Sequence, residues 1–125
     1  MQLRTFRHEA RDDYLEAIML IIREKGYCRS INIAEALEVS KPSVSVAVGK
    51  LQEEGLIELD GEKVIRLTGK GRQLAEETYA KHCYFKNFLL SVGVEEEQAE
   101  REACALEHAV SSESFAKIRQ RYPEL

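Results

Sequence analysis

The segment Cys104-Ala105-Leu106-Glu107-His108 sets a thiol, a carboxylate and an imidazole at positions i, i+3 and i+4. On a helix, side chains three and four apart share a face and can reach one ligand. Other metal-capable groups stand upstream, Asp13 and Glu16 again three apart, and His82. Carboxylate oxygens, imidazole nitrogens and one sulfur suit a divalent first-row transition metal better than calcium or magnesium. Helical bundles build such sites from inward-projecting residues of facing helices. Each group alone has a plainer use. Asp13 and Glu16 fit an acidic first turn favoured by the helix dipole. His82 fits a hydrogen-bonded core histidine, Cys104 a small buried hydrophobe, and Glu107-His108 a solvated face.

The elements that must position these groups follow from the apolar pattern. Tyr14, Ile18, Ile21 and Ile22 recur at helical spacing within residues 9–25, and Gly26 supplies a stop. A short helix is expected over 32–37. Ser40 as cap and Pro42 in the first turn open a third, which Gly55 ends. In "LIELDGEKVIRL", Asp60-Gly61 predicts a two-residue hairpin turn, placing Glu58 opposite Lys63 and Ile57 opposite Val64. A long helix from Thr68 to about Ser91 carries Leu74, Thr78, His82, Phe85 and Leu89 on one face. Helices over 95–110 and 112–122 complete the chain.

The 125 residues allow one compact domain or two small ones sharing a core. The spacing of elements predicts a division into residues 1–72 and 73–125. The net charge of −4 is uneven, since the first segment holds 12 basic and 12 acidic residues and the second 6 and 10. Nucleic acid would therefore be bound by a local patch, not by bulk charge. No apolar run reaches the roughly 20 residues of a membrane span. The N-terminal "MQLRTFRHEARDDY" lacks the apolar stretch of a signal peptide. Three cysteines, Cys28, Cys83 and Cys104, do not make a disulfide framework. A cytoplasmic protein without a membrane partner is expected.

Three helices and a hairpin, in that order, predict a mainly α protein with an N-terminal winged helix-turn-helix and a small β-hairpin wing. The acidic helical half would then serve dimerisation and metal binding. Ile33, Leu37, Val39, Val44 and Ala47 fall where two crossed helices bury their inner faces, with small Ala34 at the close approach. The outer face of the third helix then presents Lys41, Pro42, Ser43, Ser45, Val46, Gly49 and Lys50 to a major groove. Exposed Val46 suits a thymine methyl. The wing tip, with Glu58, Asp60 and Glu62 against Lys63 and Arg66, should repel phosphates. Arg4, Arg7, Arg11, Lys70 and Arg72 are better phosphate candidates.

"DDYLEAIMLIIREKGYCRSINIAEALEVSKPSVSVAVGKLQEEGLIE", followed by "LTGKGRQLAEETYAKH" and "CALEH", resembles the diphtheria-toxin-repressor family of metal-dependent transcriptional regulators, including its manganese-transport-regulator branch. The likeness covers about residues 9–118. It implies that Asp13 and Glu16 match first-helix ligands of the manganese branch, His82 the fourth-helix histidine, and Glu107-His108 the fifth-helix pair. Cys104 matches a ligand that is cysteine in iron-type members and glutamate in manganese-type ones. Lys86 stands where iron-type members carry an acidic ligand of a second site, so that site is not expected. The chain's end at Leu125 leaves no room for the SH3-like third domain of longer iron regulators. The thiolate favours softer ions and Asp13 harder ones, so Fe(II) is expected first and Mn(II) next, one or two ions per subunit.

The resemblance implies a homodimeric repressor of metal-ion homeostasis on a palindromic double-stranded operator, with no enzymatic activity and no small-molecule substrate. The dimer face is expected on the last two helices, through Ala99, Ala103, Leu106, Phe115 and Ile118. The competing reading is a metal-free winged-helix regulator that senses oxidants through Cys104. A carboxylate-rich metalloenzyme is disfavoured, because no Glu-x-x-His pair comes from two helices.

Overall fold

The computed structural model describes residues 7–123, with side chains from residue 11 onward. Arg4 and the side chain of Arg7 thus lie outside the described residues. The chain divides into two compact units, Met1–Glu76 and Glu77–Leu125. The first holds α1 (Arg7–Lys25), α2 (Ser30–Leu37), α3 (Lys41–Glu53), β1 (Ile57–Leu59), β2 (Ile65–Leu67) and the start of α4 (Gly69–Ser91). The second holds the rest of α4, then α5 (Glu96–Ala109) and α6 (Ser112–Arg121). No helix among the described residues is long and apolar enough to cross a membrane.

The first unit closes on an apolar centre. Leu15, Ile18, Met19, Cys28, Ile33, Val44, Leu56, Ile57 and Ile65 are almost wholly buried. Ser40 caps α3 as its sequence position predicts, its hydroxyl accepting from the Ser43 N–H at 3.2 Å, and Pro42 falls in the first turn. Glu38 takes the left-handed conformation (φ 56°) that ends α2 and turns the chain toward α3.

The hairpin departs from the expected register. Ile57 pairs with Leu67, Glu58 with Arg66 and Leu59 with Ile65. The turn is not a two-residue Asp-Gly type. Asp60 Oδ1 accepts from the N–H groups of Glu62 (2.8 Å) and Val64 (3.0 Å), and Lys63, not Gly61, takes the positive φ of 65°. The loop is therefore one residue longer, as in three-residue hairpins that end on a left-handed position. Burial enforces this choice. The observed register puts Ile57, Leu59, Ile65 and Leu67 on one face and exposes Glu58 and Arg66. A one-residue slip would turn one strand's apolar residues to water. Ile65 also donates its N–H to the Cys28 carbonyl at 2.8 Å, so the segment after α1 edges the hairpin.

The "LTGKG" segment joins the wing to α4. Thr68 donates its hydroxyl to the Gly55 carbonyl (2.7 Å) and accepts from the Gly71 N–H (3.1 Å). Gly71 packs so tightly that a Cβ there would overlap the Leu56 carbonyl oxygen.

In the second unit Tyr84, Phe85, Ala103 and Phe115 form the core, with Ala80, Leu106, Val110 and Ile118 around them. Tyr84 meets Phe85 and Phe115 edge-on, each with ring centres 5.5 Å apart. Glu95 and Ser111 cap α5 and α6 by accepting from Gln98 and Ser114 N–H groups. Within one chain Ala103 and Phe115 are core residues, Leu106 and Ile118 pack against them half-buried, and Ala99 is fully buried. An amphipathic stripe signals burial but not which surface covers it.

Candidate metal centre and nucleic-acid interface

His82 lies on α4, its side chain 13% exposed. Its Nδ1 is 2.8 Å from Glu107 Oε1 and its Nε2 is 2.8 Å from Glu100 Oε2. The Glu107 side chain is wholly buried, and its second oxygen is 3.5 Å from His108 Nε2. Donor atoms of Cys104, Glu107 and His108 lie within 4.8 Å of one another, as do those of His82 and Glu107. The helical spacing of the opening motif thus produces one cluster. Ala103, fully buried beside Cys104, carries no bulk that would hold α5 away from its neighbours.

A carboxylate buried this deeply is costly unless cations or donors surround it. Two imidazoles and a thiol around it supply nitrogen, oxygen and sulfur donors of the type that first-row transition metals take. The residues therefore fit a divalent metal. Asp13 and Glu16 stand one turn apart on α1, both half-buried, and belong to the first unit.

Glu100 was not in the set expected from the sequence. It bridges His82 to Lys86, whose Nζ is 3.1 Å from Glu100 Oε1 and 3.4 Å from Glu96 Oε2. Hydrogen bonds that the Lys86 ammonium donates to Glu100 first, then to Glu96, hold it above its ordinary pKa. The signal was present as a stripe on α5, with Glu96, Glu100, Ala103 and Glu107 at i, i+4, i+7 and i+11.

On the first unit, Lys41, Pro42, Ser43, Ser45, Val46, Gly49 and Lys50 are all exposed. Val46 is 61% exposed, one turn after exposed Pro42 on the same face of α3. Ser43 is partly engaged, since its hydroxyl lies 2.9 Å from that of Ser40. The wing's acids are paired: Asp60 lies 3.7 Å from Arg66 of the wing itself, and Glu62 lies 4.0 Å from Arg29 at the start of α2. Arg11 pairs with Asp12 and Glu54. Lys70 and Arg72 are exposed.

An exposed recognition helix on a winged unit, followed by a helical unit with a carboxylate, two imidazoles and a thiol clustered in it, defines a DNA-binding regulator equipped for a metal ion. Residues 8–65 match the iron dependent repressor N-terminal DNA binding domain, and residues 68–124 match the iron dependent repressor metal binding and dimerisation domain. The chain belongs to this family of metal-dependent transcriptional regulators, which are not enzymes. It is 41% identical over 113 residues to the transcriptional regulator MntR of Escherichia coli O6:H1, covering 90% of this chain and 73% of that one. The structure of the manganese regulator SloR matches with a TM-score of 0.78 and 32% identity, covering 88% of this chain and 52% of that one. The metal-dependent transcriptional regulator MtsR matches with a TM-score of 0.81 and 31% identity over the same shares, 88% and 52%. The chain thus spans about half the length of those solved structures. Divalent metal binding, dimerisation and DNA binding are properties of this family.

Proposed function

We propose that this chain is a cytoplasmic homodimeric repressor of metal-ion homeostasis that binds a palindromic operator when loaded with a divalent metal, Fe(II) ahead of Mn(II). The observation that carries the reading is the buried Glu107 carboxylate between His82 and His108 with the Cys104 sulfur beside it. The proposed ligand set is His82, Cys104, Glu107 and His108, joined by Asp13 and Glu16 of α1, for one or two ions per subunit. Relatives named as manganese regulators support Mn(II). The Cys104 thiolate is softer than a carboxylate and favours Fe(II) over Mn(II).

Asp13, Glu16, Glu107 and a Cys104 thiolate carry like charge, and a bound ion supplies the charge that neutralises them. This chain's own part is to draw those ligands from α1 as well as from α4 and α5, so that metal loading bears on the helix that leads into the reader. Two recognition helices held about 34 Å apart match successive major grooves. Metal and operator must then strengthen each other's binding by the same factor. Lys41, Pro42, Ser43, Ser45, Val46, Gly49 and Lys50 are the proposed DNA contacts, the lysines on phosphates and Val46 on a thymine methyl.

The second copy is proposed to cover Phe88, Leu90 and Val92, which are 41%, 39% and 62% exposed at the end of α4. Val92→Asp should then shift sedimentation from dimer to monomer, and an unchanged dimer would place the interface elsewhere. The functional test is an anaerobic mobility shift on DNA upstream of the chain's own gene, with Fe(II), Mn(II) or chelator. A metal-dependent shift that Glu16→Ala or His108→Ala abolishes is expected. A shift equal in chelator would sink the metal switch.

A further inference from the structure

We propose that Glu100 is the positioning residue for His82, and that the Lys86 ammonium holds Glu100 in that role by pairing with its other oxygen. The inference rests on reading His82 as a metal ligand.

The four groups form two matched rungs. His82 and Lys86 are one turn apart on α4, and Glu96 and Glu100 are one turn apart on α5. Glu100 spends one oxygen on each α4 partner, Oε2 at 2.8 Å from His82 Nε2 and Oε1 at 3.1 Å from Lys86 Nζ. Both of its oxygens are thus engaged by N–H donors of α4. An Nε2–H donated to Glu100 leaves Nδ1 as the coordinating nitrogen, and Nδ1 is the one 2.8 Å from Glu107 in the ligand cluster. A carboxylate behind a ligating imidazole fixes its tautomer and ring orientation and strengthens it as a donor.

Lys86 fixes the other end of the carboxylate: its ammonium, 3.1 Å from Glu100 Oε1 and 3.4 Å from Glu96 Oε2, keeps Glu100 turned between the two α4 side chains. Because Glu100 is 53% exposed, the arm adds little to stability. Its effect lies in orientation, and its signature is therefore metal affinity and ligand field.

The test is anaerobic titration of the full chain with Co(II), followed by visible absorption and calorimetry. Glu100→Ala should bind the same number of ions roughly tenfold to a hundredfold more weakly, with shifted Co(II) bands. Glu100→Gln, which keeps a carbonyl acceptor, should recover most of the loss. Lys86→Met, which releases one Glu100 oxygen, should bind the same number of ions, more weakly than wild type but by less than Glu100→Ala. Both sites are on helix surfaces, where alanine and methionine are good helix formers, so far-UV dichroism should not change. A Glu100→Ala chain that keeps wild-type affinity and spectrum, when His82→Ala has lost the ion, overturns the positioning role alone. Loss of a whole ion in Glu100→Ala makes Glu100 a ligand and overturns it too. Wild-type Co(II) affinity and bands in Lys86→Met overturn the role given to Lys86. A His82→Ala chain that binds Co(II) like wild type overturns the ligand reading beneath all of these.

Discussion

The two units put their polar chemistry in opposite places. In the first, the interior is apolar and the polar and charged groups expected to act, from Lys41 to Lys50, are on the outside of α3. In the second, the interior itself carries polarity: Thr78 and Glu107 are the buried polar or charged residues among those described, and both belong to it. A reader of DNA must present a fixed surface at all times, so its scaffold gains from a core that holds no carboxylate, imidazole or other group charged near neutral pH. A sensor must change with its ligand, so it gains from buried charge that is poorly tolerated until the ligand arrives.

The strongest way to break this contrast is Glu107→Leu. Replacing a buried charged group with a hydrophobe of similar volume is often neutral or stabilising. The metal-free variant should therefore keep its stability or gain up to about 1–2 kcal/mol. The rise in Tm that Mn(II) gives the wild type should vanish entirely. Thermal unfolding with and without Mn(II) reads both numbers. A variant that is both less stable without metal and still stabilised by it would mean that Glu107 is an ordinary core group.

The reader's interior offers a smaller effect with a definite pH window. Burial pushes the Cys28 thiol from its ordinary 9.0 up to about 11. Between those values the unfolded chain releases the thiol proton and the folded chain keeps it. The folded state then binds more protons, so stability falls as pH rises through the window. The loss is on the order of 2 kcal/mol across it. Urea unfolding at pH 8, 9, 10 and 11 should show this slope, and Cys28→Val should remove that part of it. An identical slope in the variant would assign the alkaline loss to other groups.

The sequence made legible what is decided locally. Ser40 and Pro42 mark the start of α3, and the Cys104–Glu107–His108 spacing marks one face of α5, because caps and helical periodicity depend only on neighbours. The hairpin register was not legible. It turned on the Asp60 side chain accepting two backbone N–H groups and on which strand residues the core covers, and neither is a property of the Asp-Gly pair. Glu100 was missed for a related reason. Its partner His82 is on another helix, and the rotation of α5 that brings them together is fixed by Ala99, Ala103 and the Tyr84–Phe85–Phe115 packing. Of the residues read as a dimer face, Ala99, Ala103 and Phe115 are buried within one chain and Leu106 and Ile118 half-buried, since helical periodicity marks an apolar face without naming what covers it.

The smallest expected effect sharpens the comparison on the reader's side. Glu62 is at the wing tip, 85% exposed and 4.0 Å from Arg29. At that exposure the ion pair is weak, and Glu62→Lys should change stability by no more than about 0.5 kcal/mol. If the wing lies near the operator backbone, the variant exchanges a repulsive charge for an attractive one and frees Arg29. Affinity for the operator should rise several-fold, and the slope of log K against log salt should steepen by about 1 for each further phosphate neutralised. Lys50→Ala gives the opposite reference, a slope shallower by about 1. A Glu62→Lys slope equal to wild type, with Lys50→Ala shallower, would place the wing off the DNA and leave α3 as the reading surface. A steeper slope would mean that the acidic tip limits an approach to phosphate that the wing is placed to make, and so weakens the resting affinity that metal must overcome.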